Sequence, residues 1–224
     1  MSEDTPAERL DERPDHPMLV ETARLILRRF DPGDLEHLVE LDADPEVMRF
    51  LNGGAPTPRD VVRNEILPRF LAHDSRFPIC GFWAAISRNT ESFIGWFALQ
   101  LRSDSSPATA ELGFRLRRST WGAGLATEGA RALVRAAFVR SEIERICAQT
   151  FEENVGSRRV LEKTGLQLVR RFRMSAEELE SSGTYASPSA DLWDGDDLEY
   201  RLEKSEWSSR FPEVNLVGGH PTGR

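Results

Sequence analysis

Apolar and polar positions change rhythm along the chain, and each change marks an element. From Thr22 to Phe30, Leu25 and Leu27 alternate with Arg24, Ile26 and Arg28, a period of two that predicts a first strand. Asp31-Pro32-Gly33-Asp34 then supplies an N-cap and a first-turn proline, and Leu35, Leu38 and Val39 follow at helical spacing. Pro45 breaks that helix and starts a short second piece ending near Leu51, closed by the turn Asn52-Gly53-Gly54. Thr57-Pro58-Arg59-Asp60 opens another helix, with Val61, Val62, Ile66 and Phe70 apolar and a kink expected at Pro68. Two strands follow, Phe82 to Arg88 and Phe93 to Arg102, joined around Asn89-Thr90. Ser103 to Pro107 reads as a loop. In the strand from Ala108 to Arg117, Ala110, Leu112, Phe114 and Leu116 share one face, and Glu111, Gly113 and Arg115 the other.

Beyond that strand the pattern turns helical to about Val139, with Leu125, Gly129, Ala132, Leu133, Ala136 and Ala137 inward. Arg145 to Phe151 is a strand, Asn154 caps a helix ending at Gly165, and Leu166 to Arg173 is a strand. Ser175 to Asp196 is an acidic, serine-rich loop, and Leu198, Tyr200 and Leu202 alternate in a last strand. The segmentation is a polar arm over 1–18, one domain over 19–207 and a tail over 208–224. No internal repeat is present.

The junction between the Ala108–Arg117 strand and the following helix is the most informative stretch. Gly122 and Gly124 let main chain approach an anion closely, and the helix start offers unpaired N–H groups and a positive dipole end. Gly122, Ala123, Gly124, Leu125, Ala126 and Thr127 together look like a cradle for a cofactor's pyrophosphate. Alone, the Gly-x-Gly pair is equally a mere strand-to-helix connection. Half a dinucleotide fingerprint is disfavoured, since Thr127 stands at the third glycine position and no early strand-turn-helix unit exists. No Gly-Lys-Ser/Thr follows, which excludes a Walker-type loop, and no Gly-x-Ser-x-Gly elbow supports a serine hydrolase.

Composition narrows the classes further. A net charge of -8 disfavours a general nucleic-acid grip and suits a cationic amine partner. Cys80 and Cys147 form no metal-like or redox-like pair, which fits a reducing compartment. The acidic start is not a signal peptide, and no run approaches the roughly 18 apolar residues of a membrane span. The expected location is cytoplasmic. His16, His37, His73 and His220 lack ligand spacing, so no metal site is expected.

Four segments, in this order, carry a resemblance: Thr22-Ala23-Arg24-Leu25-Ile26-Leu27-Arg28, Ala110-Glu111-Leu112-Gly113-Phe114, Trp121-Gly122-Ala123-Gly124-Leu125-Ala126-Thr127-Glu128, and Asn154 to Leu166. The chain resembles the GNAT family of N-acetyltransferases, closest to its ribosomal-protein alanine acetyltransferase (RimJ/RimL) branch, over about Glu21 to Glu203. The resemblance implies an α/β (α+β) fold, a mixed, mostly antiparallel twisted sheet with helices on both faces. It implies acetyl-CoA as cosubstrate, bound where two neighbouring strands splay apart. The backbone of Phe114, Arg115 and Leu116 would hold the pantetheine arm, and Asn154 would bond that arm besides capping its helix. Ser119 departs from the Gln or Arg of many members. Members often dimerise, though nothing in this sequence bears on it.

Each candidate has a plainer reading beside the chemical one. Glu111, inside an apolar strand, is costly unless paired or useful. It is either a salt-bridge partner of Arg115, Arg24 or Arg28, or the general base that deprotonates the acceptor ammonium. Ser157 is either a second cap or a hydrogen-bond donor to the departing sulfur, in place of the tyrosine of many members, since Val160 and Leu161 offer no phenol. Tyr200 reads as core or rim. Arg117, Arg118, Arg158 and Arg159 are either a solvated face or partners of adenosine phosphates. Trp83, Trp96 and Trp121 read as core, with Trp96 a candidate lining of the acceptor pocket. The acceptor is a protein N-terminal amine or a small-molecule amine, and a non-catalytic acetyl-CoA sensor is the alternative to an enzyme.

Overall fold

The alternation in sequence becomes an alternation in space. The computed structural model describes residues 19–72, 77–102, 108–173 and 195–211. Its strands are β1 (Val20–Glu21), β2 (Leu25–Arg29), β3 (Gly81–Ser87), β4 (Phe93–Leu101), β5 (Thr109–Leu116), β6 (Arg145–Phe151), β7 (Gln167–Phe172) and β8 (Asp197–Glu203). Its helices are α1 (Leu35–Asp42), α2 (Pro45–Asn52), α3 (Arg59–Val61), α4 (Leu67–Leu71), α5 (Leu125–Arg140), α6 (Val155–Thr164) and α7 (Lys204–Arg210). The arm, the greater part of the Ser175–Asp196 loop, the Ser103–Pro107 loop and the tail from 212 onward lie outside the described residues, as do His16, His73 and His220.

The strands form one sheet in the order β1-β2-β3-β4-β5-β6-β8-β7. Each neighbouring pair is antiparallel except β5 with β6, so the sheet is mixed and mostly antiparallel, as expected. Leu25, Leu27, Trp83, Phe97, Leu99, Ala110 and Leu112 point to one face, where α5, Leu161 of α6 and Trp207 of α7 cover them. Phe82, Ala84, Trp96 and Ala98 point to the other, against Leu38 and Leu41 of α1, Val62, and Leu67 and Phe70 of α4. Phe70 stacks on Phe82 at 3.8 Å and meets Trp96 edge-on at 5.4 Å. Apolar area removed from water on both faces is the main drive for this arrangement.

Three boundaries differ from the sequence expectation, each for a local reason. The strand expected from Thr22 starts at Leu25 instead, with the short β1 ahead of it, because the Thr22 hydroxyl accepts from the Leu25 N–H at 2.8 Å where the chain turns between the two. Pro68 widens its helix rather than simply bending it. It has no N–H to give, and its ring would crowd the carbonyl one turn back. The chain answers with a π turn over Val62–Ile66, where the Leu67 N–H reaches the Val62 carbonyl. At the end, a helix stands where a tail is expected beyond Trp207. A reciprocal cap between Glu203 and Glu206 starts α7, and buried Trp207 seats it 5.5 Å from the Phe138 ring.

Arg28 locks β2 to the start of α1. Two of its nitrogens each lie 2.7 Å from an Asp34 oxygen, and the Asp31 N–H adds a third donor at 3.0 Å. Burial pushes the Asp34 pKa up, but hydrogen bonds from Arg28 and Asp31 outweigh it and hold the carboxyl below its ordinary value. A depressed carboxyl contributes stability that is present above its unfolded pKa of about 4 and lost as pH falls through the folded value. Asp34→Asn is therefore expected to cost about 1–3 kcal/mol at neutral pH. It should also flatten the acid limb of melting temperature against pH, as followed by thermal melts. An acid limb as steep as that of the parent would contradict this.

Candidate active site

The site begins where two neighbouring strands part. β5 and β6 pair only at Thr109↔Arg145, Ala110↔Ile146 and Glu111↔Cys147. Beyond Glu111, β5 stays with β4 as far as Leu116, while β6 stays with β8 as far as Phe151. Parallel strands end at the same edge of a sheet, so the helices that follow them start side by side. Here α5 follows β5, α6 follows β6, and the two pack together. The open wedge, both helix starts and Glu111 thus come from one topological fact.

The turn into α5 is bare main chain. A single 3₁₀ turn, Arg118–Thr120, separates it from β5, a detail the sequence pattern does not carry. Residues 121–124 are exposed, and Gly122 and Gly124 take φ of 74° and 79°, in the left-handed region. A Cβ built on Gly122 would meet nothing within 4 Å. No side chain caps α5, and its first main-chain bond runs from the Glu128 N–H to the Gly124 carbonyl at 3.1 Å. The N–H groups of Leu125, Ala126 and Thr127 lie ahead of the helical ladder and are open to an anion. These residues fit a diphosphate. Trp121 is half exposed rather than core, because its indole N–H reaches out of the turn to the Leu116 carbonyl at 2.8 Å.

The second helix start is capped. Asn154 accepts from the Ser157 N–H at 3.1 Å, so the expected cap is present. Ser157 is not a second cap: among the described residues its hydroxyl makes no hydrogen bond, and it is half-buried. Gly165 closes α6 in the left-handed region. Tyr200 is core, its hydroxyl held between Arg158 at 3.4 Å and Glu162 at 3.1 Å.

Glu111 lies on the face opposite Ala110 and Leu112, at the last rung before the wedge opens. The expected partners are engaged elsewhere. Arg115 is buried against Asp42 of α1 at 2.5 Å, Arg24 pairs with Glu128 and Arg28 with Asp34. Glu111 instead has Arg102 at 3.9 Å, and both side chains are about 29% exposed, open enough for a solvent molecule or ligand to reach. Cys147, its neighbour across the ladder, is pushed up to about 11, chiefly by burial and then by the Glu111 charge. At neutral pH that buried thiol stays protonated, a poor nucleophile.

Of the other arginines, Arg117 pairs with Glu40 at 2.6 Å, and Arg158 is tied to Tyr200 and the Glu152 carbonyl. The side chains of Arg118 and Arg159 are exposed and make no ion pair among the described residues. Trp96 is buried in the aromatic layer beneath Arg115, 5.2 Å from its guanidinium. His37 stacks on Phe93 at 4.9 Å. Among the described residues no group of three His, Cys, Asp or Glu could hold a metal ion, and no helix is long and apolar enough to cross a membrane.

A parted pair of parallel strands beside an uncapped, glycine-rich helix start is a place where an anion can be held. Comparison with known proteins makes the class specific. The model of the acetyltransferase (GNAT) domain matches residues 24–167. The chain is 29% identical over 192 residues to the FsC-acetyl coenzyme A-N(2)-transacetylase of Aspergillus fumigatus, covering 83% of this chain and 76% of that one. It is 29% identical over 146 residues to the uncharacterized N-acetyltransferase p20 of Bacillus licheniformis, 65% of this chain and 80% of that one. A GNAT-family acetyltransferase structure from Bacillus anthracis superposes with a TM-score of 0.67 at 23% identity, over 84% of this chain and all of that one. RimL, a ribosomal L7/L12 α-N-protein acetyltransferase solved with coenzyme A, superposes at 0.64 and 16% identity, over 84% and 99%. The chain belongs to the GNAT acetyltransferase family. It is an N-acetyltransferase, and acetyl-CoA is the cosubstrate of that family.

Two features escaped the sequence reading. Asp42 gave no signal, being one carboxylate at a helix end. Thr22, Arg24 and Glu128 were visible as parts of the matching segments, but nothing local assigned them a task. Gly129, by contrast, was legible as an inward position. It lets α5 sit directly on the sheet, since a Cβ there would overlap the Phe97 ring. Gly129→Ala should gain up to about 1 kcal/mol of helix propensity and lose about 1–3 kcal/mol to overpacking. A net fall in melting temperature is expected; an unchanged or higher one would contradict the close approach.

Proposed function

We propose that this chain transfers the acetyl group of acetyl-CoA directly to a primary amine, with Glu111 as general base. The observation that carries this reading is the parting of β5 and β6 at Glu111, beside the bare turn at Gly122–Thr127. The turn's amides would hold the diphosphate, and the main chain at Phe114, Arg115 and Leu116 would hold the pantetheine arm along the wedge, helped by Asn154. Acetyl-CoA supplies the electrophile, a thioester carbonyl. A backbone N–H near Phe114 would polarise that carbonyl as an oxyanion donor. Glu111 accepts the proton that the ammonium must lose before its nitrogen can attack, directly or through water. Ser157, its hydroxyl uncommitted, would donate to the departing sulfur. Much of the acceleration comes from holding two substrates in line. The poor thiolate character of Cys147 agrees with direct transfer rather than an acyl-cysteine.

The acceptor is either the N-terminal amine of a protein, the RimJ/RimL type of activity, or an amine of a small molecule. RimL is a protein α-N-acetyltransferase, and an aminoglycoside acetyltransferase solved with coenzyme A superposes at a TM-score of 0.61 and 19% identity, over 84% of this chain and 99% of that one. Both acceptors present an ammonium to an acidic protein, which is the shared chemistry. Thiol release measured against a panel of amines and short peptides separates them.

Glu111→Gln is expected to lower kcat about 100-fold while leaving coenzyme A binding intact. The deficit should shrink as pH rises toward the acceptor's own pKa, where free amine forms unaided. Equal rates for parent and variant across pH would remove Glu111 as the base. Ser157→Ala should lower kcat about tenfold with little change in acceptor KM, since a single hydrogen bond to a developing charge is lost. An unaltered kcat would leave Ser157 without a chemical role.

A further inference from the structure

The geometry points to Arg24 and Glu128 as a positioning pair that orients the Gly124 amide and thereby sets the grip on the coenzyme's diphosphate. This rests on the reading that the turn at Gly122–Thr127 holds that diphosphate. The two residues are distant along the chain and meet beside the turn. Arg24 directly precedes β2, and Glu128 lies in the first turn of α5.

Glu128 is surrounded by donors from the Thr22–Arg24 turn. Its Oε1 accepts from the Thr22 hydroxyl at 2.5 Å and the Arg24 main-chain N–H at 2.9 Å. Its Oε2 lies 2.6 Å from both Nε and Nη2 of the Arg24 guanidinium. The remaining arm of that guanidinium, Nη1, donates to the Ala123 carbonyl at 2.9 Å, inside the glycine turn itself. A trans peptide holds its C=O and N–H on opposite sides. Fixing the Ala123 carbonyl toward β2 therefore turns the Gly124 N–H away from β2. Gly124 sits at φ 79° with no side chain of its own to hold that peptide plane, so the hold comes from outside.

Charge follows the same logic. A carboxylate in the first turn of α5 suits the helix dipole, yet unpaired it would repel a diphosphate bound at the same helix start. Arg24 cancels that charge while spending its fork on Glu128 and Ala123, so it acts through the turn. Burial raises the Glu128 pKa, but bonds from Thr22 and Arg24 outweigh it and keep the carboxyl below its ordinary value, ionised at working pH. A lysine could meet the carboxylate but has no fixed fork to hold Oε2 and the Ala123 carbonyl at once.

The test compares acetyl-CoA with S-acetylpantetheine, which lacks the diphosphate. The readout is the ratio of their kcat/KM values for the parent protein, Arg24→Met, Arg24→Lys and Glu128→Gln. The parent should strongly prefer acetyl-CoA. Arg24→Met should cut that preference about tenfold, the worth of one lost charge-assisted bond. The loss should appear in KM for acetyl-CoA, with kcat/KM for acetylpantetheine little changed and Arg24→Lys falling between. Glu128→Gln, which keeps size and fold, should cut the preference in the same direction and serves where Arg24→Met fails to fold. A strong parental preference that is unaltered in the folded variants would overturn this proposal alone. A parent with no preference would overturn the diphosphate reading beneath it.

Discussion

One parallel pairing in an otherwise antiparallel sheet organises the molecule. Parallel neighbours cannot be joined by a hairpin, so β5 and β6 need a crossover, and α5 is that crossover. The pairing lasts three rungs. Each strand then continues with its antiparallel partner, β4 on one side and β8 on the other. What remains is a wedge with strand edges for walls and two helix starts at its mouth. A hairpin at this point would have closed the wedge and removed the open start of α5.

Arginine forks fasten the other elements to this frame. Arg115 of β5 reaches Asp42 at the end of α1, Arg28 of β2 reaches Asp34 before α1, and Arg24 reaches the first turn of α5. Each joins a strand, or its threshold, to a helical segment distant in sequence or direction. Arg115–Asp42 is buried on both sides, and such a pair adds little net stability over apolar packing, yet breaking it is costly because a charge is left behind. The value of all three lies in fixing where α1 and α5 sit. Asp42–Arg115 ties β5 to the end of α1, and Glu128–Arg24 ties the first turn of α5 to the threshold of β2.

Much of this was readable in the chain. The period of two in β5 correctly put Glu111 on the opposite face from Ala110 and Leu112. Asn154 and Gly165 bracketed α6 because caps are local chemistry, set by residues within a turn of the helix. The glycine turn was readable because φ above zero needs glycine. What stayed hidden depends on contacts distant in sequence. No window around Glu111 reveals that Arg115 belongs to Asp42, or that Arg102 stands beside it. Trp121 looked like core because tryptophan is mostly buried, and only the hydrogen bond to Leu116 explains why it stands half in water. The last helix was hidden for a different reason. Seven residues with a single apolar anchor, Trp207, carry no period.

The central claim is that the main chain around residues 122–127 clasps the diphosphate of coenzyme A. A crystal structure of the protein grown with coenzyme A tests it most directly. The account predicts phosphate oxygens within hydrogen-bond distance of amides between Gly122 and Thr127, with the pantetheine arm running into the wedge between β5 and β6. A nucleotide bound elsewhere, with those amides facing solvent or protein, would contradict it.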